Sequence, residues 1–490
     1  RDYWNSYSYL DVAEVSYILS ICYDWMYDAW TLKQREEISE NVTEKGLIRD
    51  YQVLFGELTP TIKDSAQGWF KSTNNWNAVC NGGVLMSAIA FMETDPYLCG
   101  NIAEATIRGF EYFLPNFAPE GAWAEGATYW RYALQYLTAA CATLDASCGT
   151  DYGISKTPGL ENSQFYSLSI EGKTGVVNFG DVSSDHVNAP FMFYWAKKYN
   201  NPVIGGAALY IKNQFGFSGN AYDLVYYDPA YVTEDYIPPL SFRYKGTEVV
   251  SFASGYNSDD TYIAISGGRG NATSHDHLDS GGIVLEMKGK RLFKDLGAEH
   301  YGANGYFSTN RFLFFRARPE AHNIFIINPE ITSDVDGSKY YGQYTSAVSE
   351  ITSYNPAGRS ATMNLSDAYA RDASSAERTI SLDGKKAIIE DSITLLKESN
   401  VYWNWYVATS IDKITISEDG KSAVINLDGT LYNVSFETNC NYTLLVQDSD
   451  YYVNVDPDPK GSKHSNSATK RLVLKLENAT GTVNVKTIVS

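Results

Sequence analysis

Apolar residues in this 490-residue chain recur at helical spacing up to about residue 215 and alternate at strand spacing from about residue 240. A stretch of period 3.6 cannot present one face as a strand, and a stretch of period 2 cannot present one as a helix. The chain is therefore read as α+β and multidomain, with helices first and strands after. Tyr9 to Tyr27 keeps helical spacing over many turns, and Thr31 is suited to cap a second helix. Further helical stretches are read at about 77–93, 97–115, 124–144, 189–199 and 201–214, joined by short Gly, Pro and Asn breaks. Such joins suggest stacked antiparallel helical hairpins. Beyond 240, Val249–Ser254, Thr261–Ser266, Ile283–Met287, Asn323–Ile327, Lys386–Glu390, Ser422–Leu427 and Arg471–Leu476 are short, β-branched or alternating runs. Asp383-Gly, Asp419-Gly and Asp428-Gly supply turns, and the pattern predicts an antiparallel β-sandwich. Prolines and lost periodicity between Asp228 and Pro239 place a boundary there, giving domains 1–235 and 236–490.

Charge narrows the partners. The net charge of -19 argues against nucleic acid and against an anionic membrane surface. No apolar run is long enough for membrane insertion. The 38 Tyr and 10 Trp favour a glycan, because aromatic faces stack on sugar rings. Cysteines 22, 80, 99, 141, 148 and 440 form no CxxC pair and read as buried thiols. The chain opens at Arg1 inside a helical pattern, which reads as a processed or truncated N-terminus.

Three stretches carry residues suited to chemistry. In Thr273-Ser-His-Asp-His-Leu-Asp-Ser-Gly-Gly282, His277 is placed to bind a metal while His275 faces a cleft. Asp295 and His322 complete a His/Asp/His set of the kind that suits zinc; the plainer reading is four polar strand caps. Ser72 to Gly83 puts four Asn and a Trp at the start of an apolar helix, more than capping explains. In Pro119 to Tyr132, Tyr129 and Tyr132 share a helix face, as they would in an aromatic core stripe.

Asn74-Asn-Trp-Asn, Glu125-Gly-Ala-Thr-Tyr-Trp-Arg-Tyr, His275-Asp-His and Ala321-His-Asn together resemble the heparinase II/III-like polysaccharide lyases, which include heparin, broader glycosaminoglycan and alginate lyases. The resemblance spans nearly the whole chain and implies an incomplete α/α toroid of helical hairpins followed by an antiparallel β-sandwich. It implies His277, Asp295 and His322 as ligands of a structural Zn2+. His275 and Tyr129 match the catalytic residues, and Asn75 matches the group that contacts the uronate carboxylate. Trp76, Asn77, Glu125, Arg131, Tyr132 and Arg318 are the expected substrate-binding residues, with Tyr132 the alternative to Tyr129. Trp76 stands where several members carry histidine, and less helical sequence precedes Tyr9 than usual.

The expected reaction is β-elimination on an anionic, uronate-containing polysaccharide, foremost a glycosaminoglycan such as hyaluronan, chondroitin or heparan sulfate. The expected setting is secreted or periplasmic and bacterial. The alternatives are an alginate lyase of the same fold and a non-catalytic glycan-binding relative. A metallohydrolase is a third reading, since His275-Asp-His-Leu-Asp279 begins like His-x-His-x-Asp-His, but Ser280 stands where that motif needs histidine. The negative net charge opposes a polyanionic substrate, and Arg131, Arg269, Arg311, Arg316 and Arg318 are the local cations near the motifs.

Overall fold

The computed structural model describes residues 4, 9–56, 68–268, 273–329, 341–450, 457–458, 460–461 and 463–490. Arg269 lies outside the described residues. Contacts divide the chain into two units. The first comprises Arg1–Trp123, Thr128–Tyr166 and Asn188–Ile237; the second comprises Ala124–Ala127, Ser167–Val187 and Pro238–Ser490. The second unit thus takes two segments that the sequence reading left with the helices.

The first unit is helical: α1 (Leu10–Trp25), α2 (Leu32–Val42), α3 (Ile48–Phe55), α4 (Asn75–Ala90), α5 (Pro96–Phe113) and α6 (Gly126–Cys148), followed by further helices, among them Pro202–Gln214. Their starts follow local chemistry. Thr31 and Gln34 form a reciprocal capping box on α2, and Asp95 accepts from Leu98 N at 3.0 Å with Pro96 opening α5. Asn74 caps α4 by accepting from Trp76 N at 3.1 Å. α4 is the most enclosed of these helices, with every residue from Asn77 to Ala88 buried. Its glycines allow that: a Cβ on Gly83 would lie 2.3 Å from Ala13 O in α1, and one on Gly82 would lie 2.9 Å from Tyr136 O in α6. The backbone itself meets both neighbours, leaving no room for any side chain.

The second unit holds three antiparallel sheets. The first has the order β1-β2-β3-β4-β5, from Ser241–Tyr244, Val249–Ala253, Tyr262–Ser266, Gly282–Met287 and Lys290–Phe293. β3 and β4 pair in continuous register, the β4-β5 pairing shifts register between Leu285 and Glu286, and every residue of β3 and β4 is buried, so both faces are covered. The β4-β5 turn, Lys288-Gly289, has φ of 52° and 74°, the geometry of a tight hairpin. β6 (Phe325–Ile327) pairs with the strand Ser399–Val407 in a four-stranded sheet. An eight-stranded sheet completes the unit, and its longest hairpin joins Ala373–Asp383 to Lys386–Leu395. Those two strands alternate buried and exposed along their length, one face in the core and one outward.

One buried side chain links this hairpin to the loops that matter below. Arg378 pairs with Asp391 through Nε–Oδ1 at 2.6 Å and Nη2–Oδ2 at 2.9 Å. Its remaining amine donates to Gly281 O at 2.7 Å and Asn323 O at 2.8 Å. Asn323 directly follows His322 of the predicted metal set, and Gly281 lies four residues after His277.

Candidate active site and metal centre

Three loops of the second unit bring His277, Asp295 and His322 together. His277 precedes β4, Asp295 follows β5, and His322 precedes β6. All three are buried, and each offers a ligand atom within 4.8 Å of the others. Asn323 fixes the last loop: it donates to Ile283 O at 2.8 Å and Lys294 O at 2.9 Å, and accepts from Tyr406 N at 2.7 Å. His322 Nδ1 lies 2.6 Å from Asp295 Oδ2. His277 Nδ1 and His322 Nε2 are buried without a hydrogen-bond partner among the described residues. Two orphaned imidazole nitrogens beside a carboxylate fit a metal ion and are costly without one. Burial pushes the His277 imidazole down to about 4 against the pull of Asp181, so the ring is neutral, the form that ligates. At His322 burial acts downward too, and Asp295 outweighs it, raising that pKa.

Asp181 is the residue that sequence reasoning missed. It accepts from His277 Nε2 at 2.9 Å and from the Tyr306 hydroxyl at 2.5 Å, and it lies 3.2 Å from His275 Nδ1. Arg311 Nη2 comes within 2.9 Å of its Oδ2 as an ion pair, without hydrogen-bond alignment. Burial works against the Asp181 charge, but His275, His277 and Arg311 overcome it and hold the carboxyl below the usual range. Gly180 allows the approach. Its φ is 65°, a Cβ there would stand 2.6 Å from His275 O, and the next amide, Asp181 N, donates to that oxygen at 3.0 Å. The Gly-Asp pair inside Val176-Val-Asn-Phe-Gly-Asp-Val182 was the available signal.

His275 is therefore held on several sides. Its Nδ1 meets Asp181 and, at 3.3 Å, the Tyr301 hydroxyl, while its Nε2 lies 3.6 Å from the buried Glu125. The Tyr301 ring stacks on it at 6.2 Å and Phe307 meets it edge-on at 5.9 Å. A carboxylate on one imidazole nitrogen fixes the ring and leaves the other for proton transfer. Asp279, the fourth residue of the hydrolase-like motif, stands outside the metal set; its Oδ2 takes Gly180 N at 3.3 Å.

The remaining predicted residues are placed as follows. Arg318, in the second unit, is buried and doubly bonded to Glu320 at 2.6 and 3.0 Å. In the first unit, Asn75 opens α4 and is buried, with Trp76 half-buried beside it. Asn77 donates to Phe70 O at 3.0 Å and Gly109 O at 2.9 Å. Tyr129 and Arg131 are half-buried on the first turns of α6. The Tyr132 hydroxyl donates to Glu14, and burial and that carboxylate raise its pKa.

Comparison with known proteins bears on the fold that carries these residues. Residues 252–486 match the family model described as heparinase II/III-like, C-terminal. No curated protein sequence matches. A crystal structure of heparinase III superposes with a TM-score of 0.70 at 11% identity, covering 98% of this chain and 69% of that one. Heparan sulfate lyase HepC from Pedobacter heparinus gives 0.63 at 12% identity, covering 98% and 67%. A chondroitin AC lyase from Streptomyces coelicolor A3 gives 0.50 at 9%, covering 96% and 66%. The expected fold class, helical hairpins followed by antiparallel sheets, is the fold these structures share.

Proposed function

We propose that this chain, whose residues 252–486 match the heparinase II/III-like C-terminal family model, is a polysaccharide lyase that cleaves uronate-containing glycosaminoglycans by β-elimination. The observation that carries the reading is His275: a histidine oriented by a buried carboxylate, two residues from a buried His/Asp/His group, in a domain of that family.

In this reading His275 takes the proton from C5 of the uronate. The freed electron pair forms the C4=C5 double bond, the C4–O bond breaks, and the Tyr129 hydroxyl protonates the departing oxygen. Removing a proton beside a carboxylate builds charge on the carboxylate oxygens, and the Asn75 amide stabilises it there. Glu125, beside His275 Nε2, bounds the space where the reacting carbon sits. Trp76 and Arg131 contact the chain. Asn77, Tyr132 and Arg318 complete the set this reading assigns to substrate binding.

The metal assigned to His277, Asp295 and His322 is zinc, since two imidazoles and one carboxylate suit its borderline character. Bound there, it would tie the three loops together and fix the segment that carries His275. A substrate of polymer size places the reaction outside the cytoplasm, in a periplasmic or extracellular setting.

The test is direct. Hyaluronan, chondroitin sulfate, heparan sulfate and alginate are each incubated with the protein, and the ultraviolet absorbance of the conjugated uronate is followed. Rising absorbance with at least one glycosaminoglycan is expected. Rising absorbance with alginate alone would shift the substrate, and none with any polymer would overturn the lyase reading.

A further inference from the structure

A cavity of about 480 Å³ in the second unit is lined by three cations, Arg291, Lys294 and Arg316, together with Asp181, Glu299 and Tyr301. The cations differ in what they meet. Arg291 pairs with Glu286 at 2.7 Å. Arg316 spends its donors on neutral oxygens: Leu296 O at 2.8 Å, Ala298 O at 3.0 Å and Asn466 Oδ1 at 2.8 Å. Its charge meets no carboxylate in an ion pair among the described residues. Lys294 is half-buried, and its ammonium makes no hydrogen bond or ion pair among the described residues.

The acids on the same wall are already engaged. Asp181 serves His275, His277 and Tyr306. Asp295 serves His322 and Gly297 N, and Glu299 accepts from His300 N and His464 N. A half-buried ammonium that faces a cavity beside a second cation favours an anion entering there, since an anion is a stronger acceptor than water. Asp181 and Tyr301 also touch His275, so the cavity borders the proposed reaction centre.

We propose that this cavity is a subsite for an anionic group of the substrate chain, a sulfate or a carboxylate, held by Lys294 in the field of Arg316. Calling the anion part of a substrate rests on the lyase reading; that the cavity takes an oxyanion does not.

Titration calorimetry at low ionic strength with sodium sulfate and with sodium acetate, on the metal-loaded protein, tests it. The wild type is expected to bind at least one of them. Lys294→Met should weaken that binding by about tenfold or more, and Lys294→Arg should retain it, with metal content equal in all three. Preference for sulfate assigns the subsite to a sulfo group, and preference for acetate assigns it to a uronate carboxylate. On a polymer that is cleaved, Lys294→Met should raise KM far more than it lowers kcat. Equal anion binding by wild type and Lys294→Met, or none by the wild type, would overturn the proposal. Sulfate or acetate binding that needs Lys294, with no unsaturated product from any uronan, would fell the lyase reading and keep the anion site.

Discussion

His275 and Tyr129 divide the proposed chemistry, and the two tyrosines on α6 allow a test of that division. Tyr129→Phe removes only a hydroxyl and should cut turnover by about two to four orders of magnitude with little loss of stability. Tyr132→Phe removes a donor to Glu14, so it should keep turnover and lower stability by about 1.5–3 kcal/mol. Both are read from steady-state rates and urea unfolding; the reverse pattern would move the acid to Tyr132. A different residue sets a pH dependence in the first unit. Burial pushes the Asp50 carboxyl up to about 7, against the hydrogen bond from Tyr9 at 2.6 Å. The unfolded chain therefore ionises first as pH rises from about 4, and its share of the stability falls until about 7, by on the order of 4 kcal/mol at most. Asp50→Asn should flatten that fall, so the stability gap between wild type and variant changes between those pH values in urea titrations. The metal set was legible because His275-Asp-His277, Asp295 and His322 each stand beside a strand signal. Asp181 was not: it lies 96 residues before His277, in a turn with no periodicity, and only the folded chain brings the two together.

At the scale of elements, the helices read well where caps and spacing agree, as at Thr31 for α2 and Asp95-Pro96 for α5. The strands read well where β-branched residues alternate, as in Tyr262–Ser266. Glu350–Asn355 escaped notice because it buries only Ile351, and an edge strand facing water carries almost no apolar signal. Ser399–Val407 escaped for the opposite reason: it is buried nearly throughout and does not alternate. The Ala373–Asp383 and Lys386–Leu395 hairpin is anchored by Arg378. Arg378→Met would leave the Asp391 carboxylate buried with Trp403 Nε1, at 2.8 Å, as its one side-chain donor among the described residues. A loss of about 3–5 kcal/mol is expected, measured by denaturant unfolding, and Arg378→Met with Asp391→Leu should recover much of it.

For the whole molecule, the metal proposed for His277, Asp295 and His322 is open to direct test. About one metal ion per chain is expected by elemental analysis, with zinc the ion found. Chelation should lower the melting temperature of the second unit, and His322→Ala should do the same while abolishing the bound ion. A chain equally stable with and without metal would remove the structural role. Arg378 also bears on how the molecule comes to exist. Its partner Asp391 is 13 residues away within one hairpin, whereas its other acceptors, Asn323 O and Gly281 O, are 55 and 97 residues away. Closing the short loop costs less chain entropy than closing the long ones. The hairpin is therefore the closure with the smaller entropic cost, and by itself it defines a fork on which the loops carrying Gly281 and Asn323 can dock.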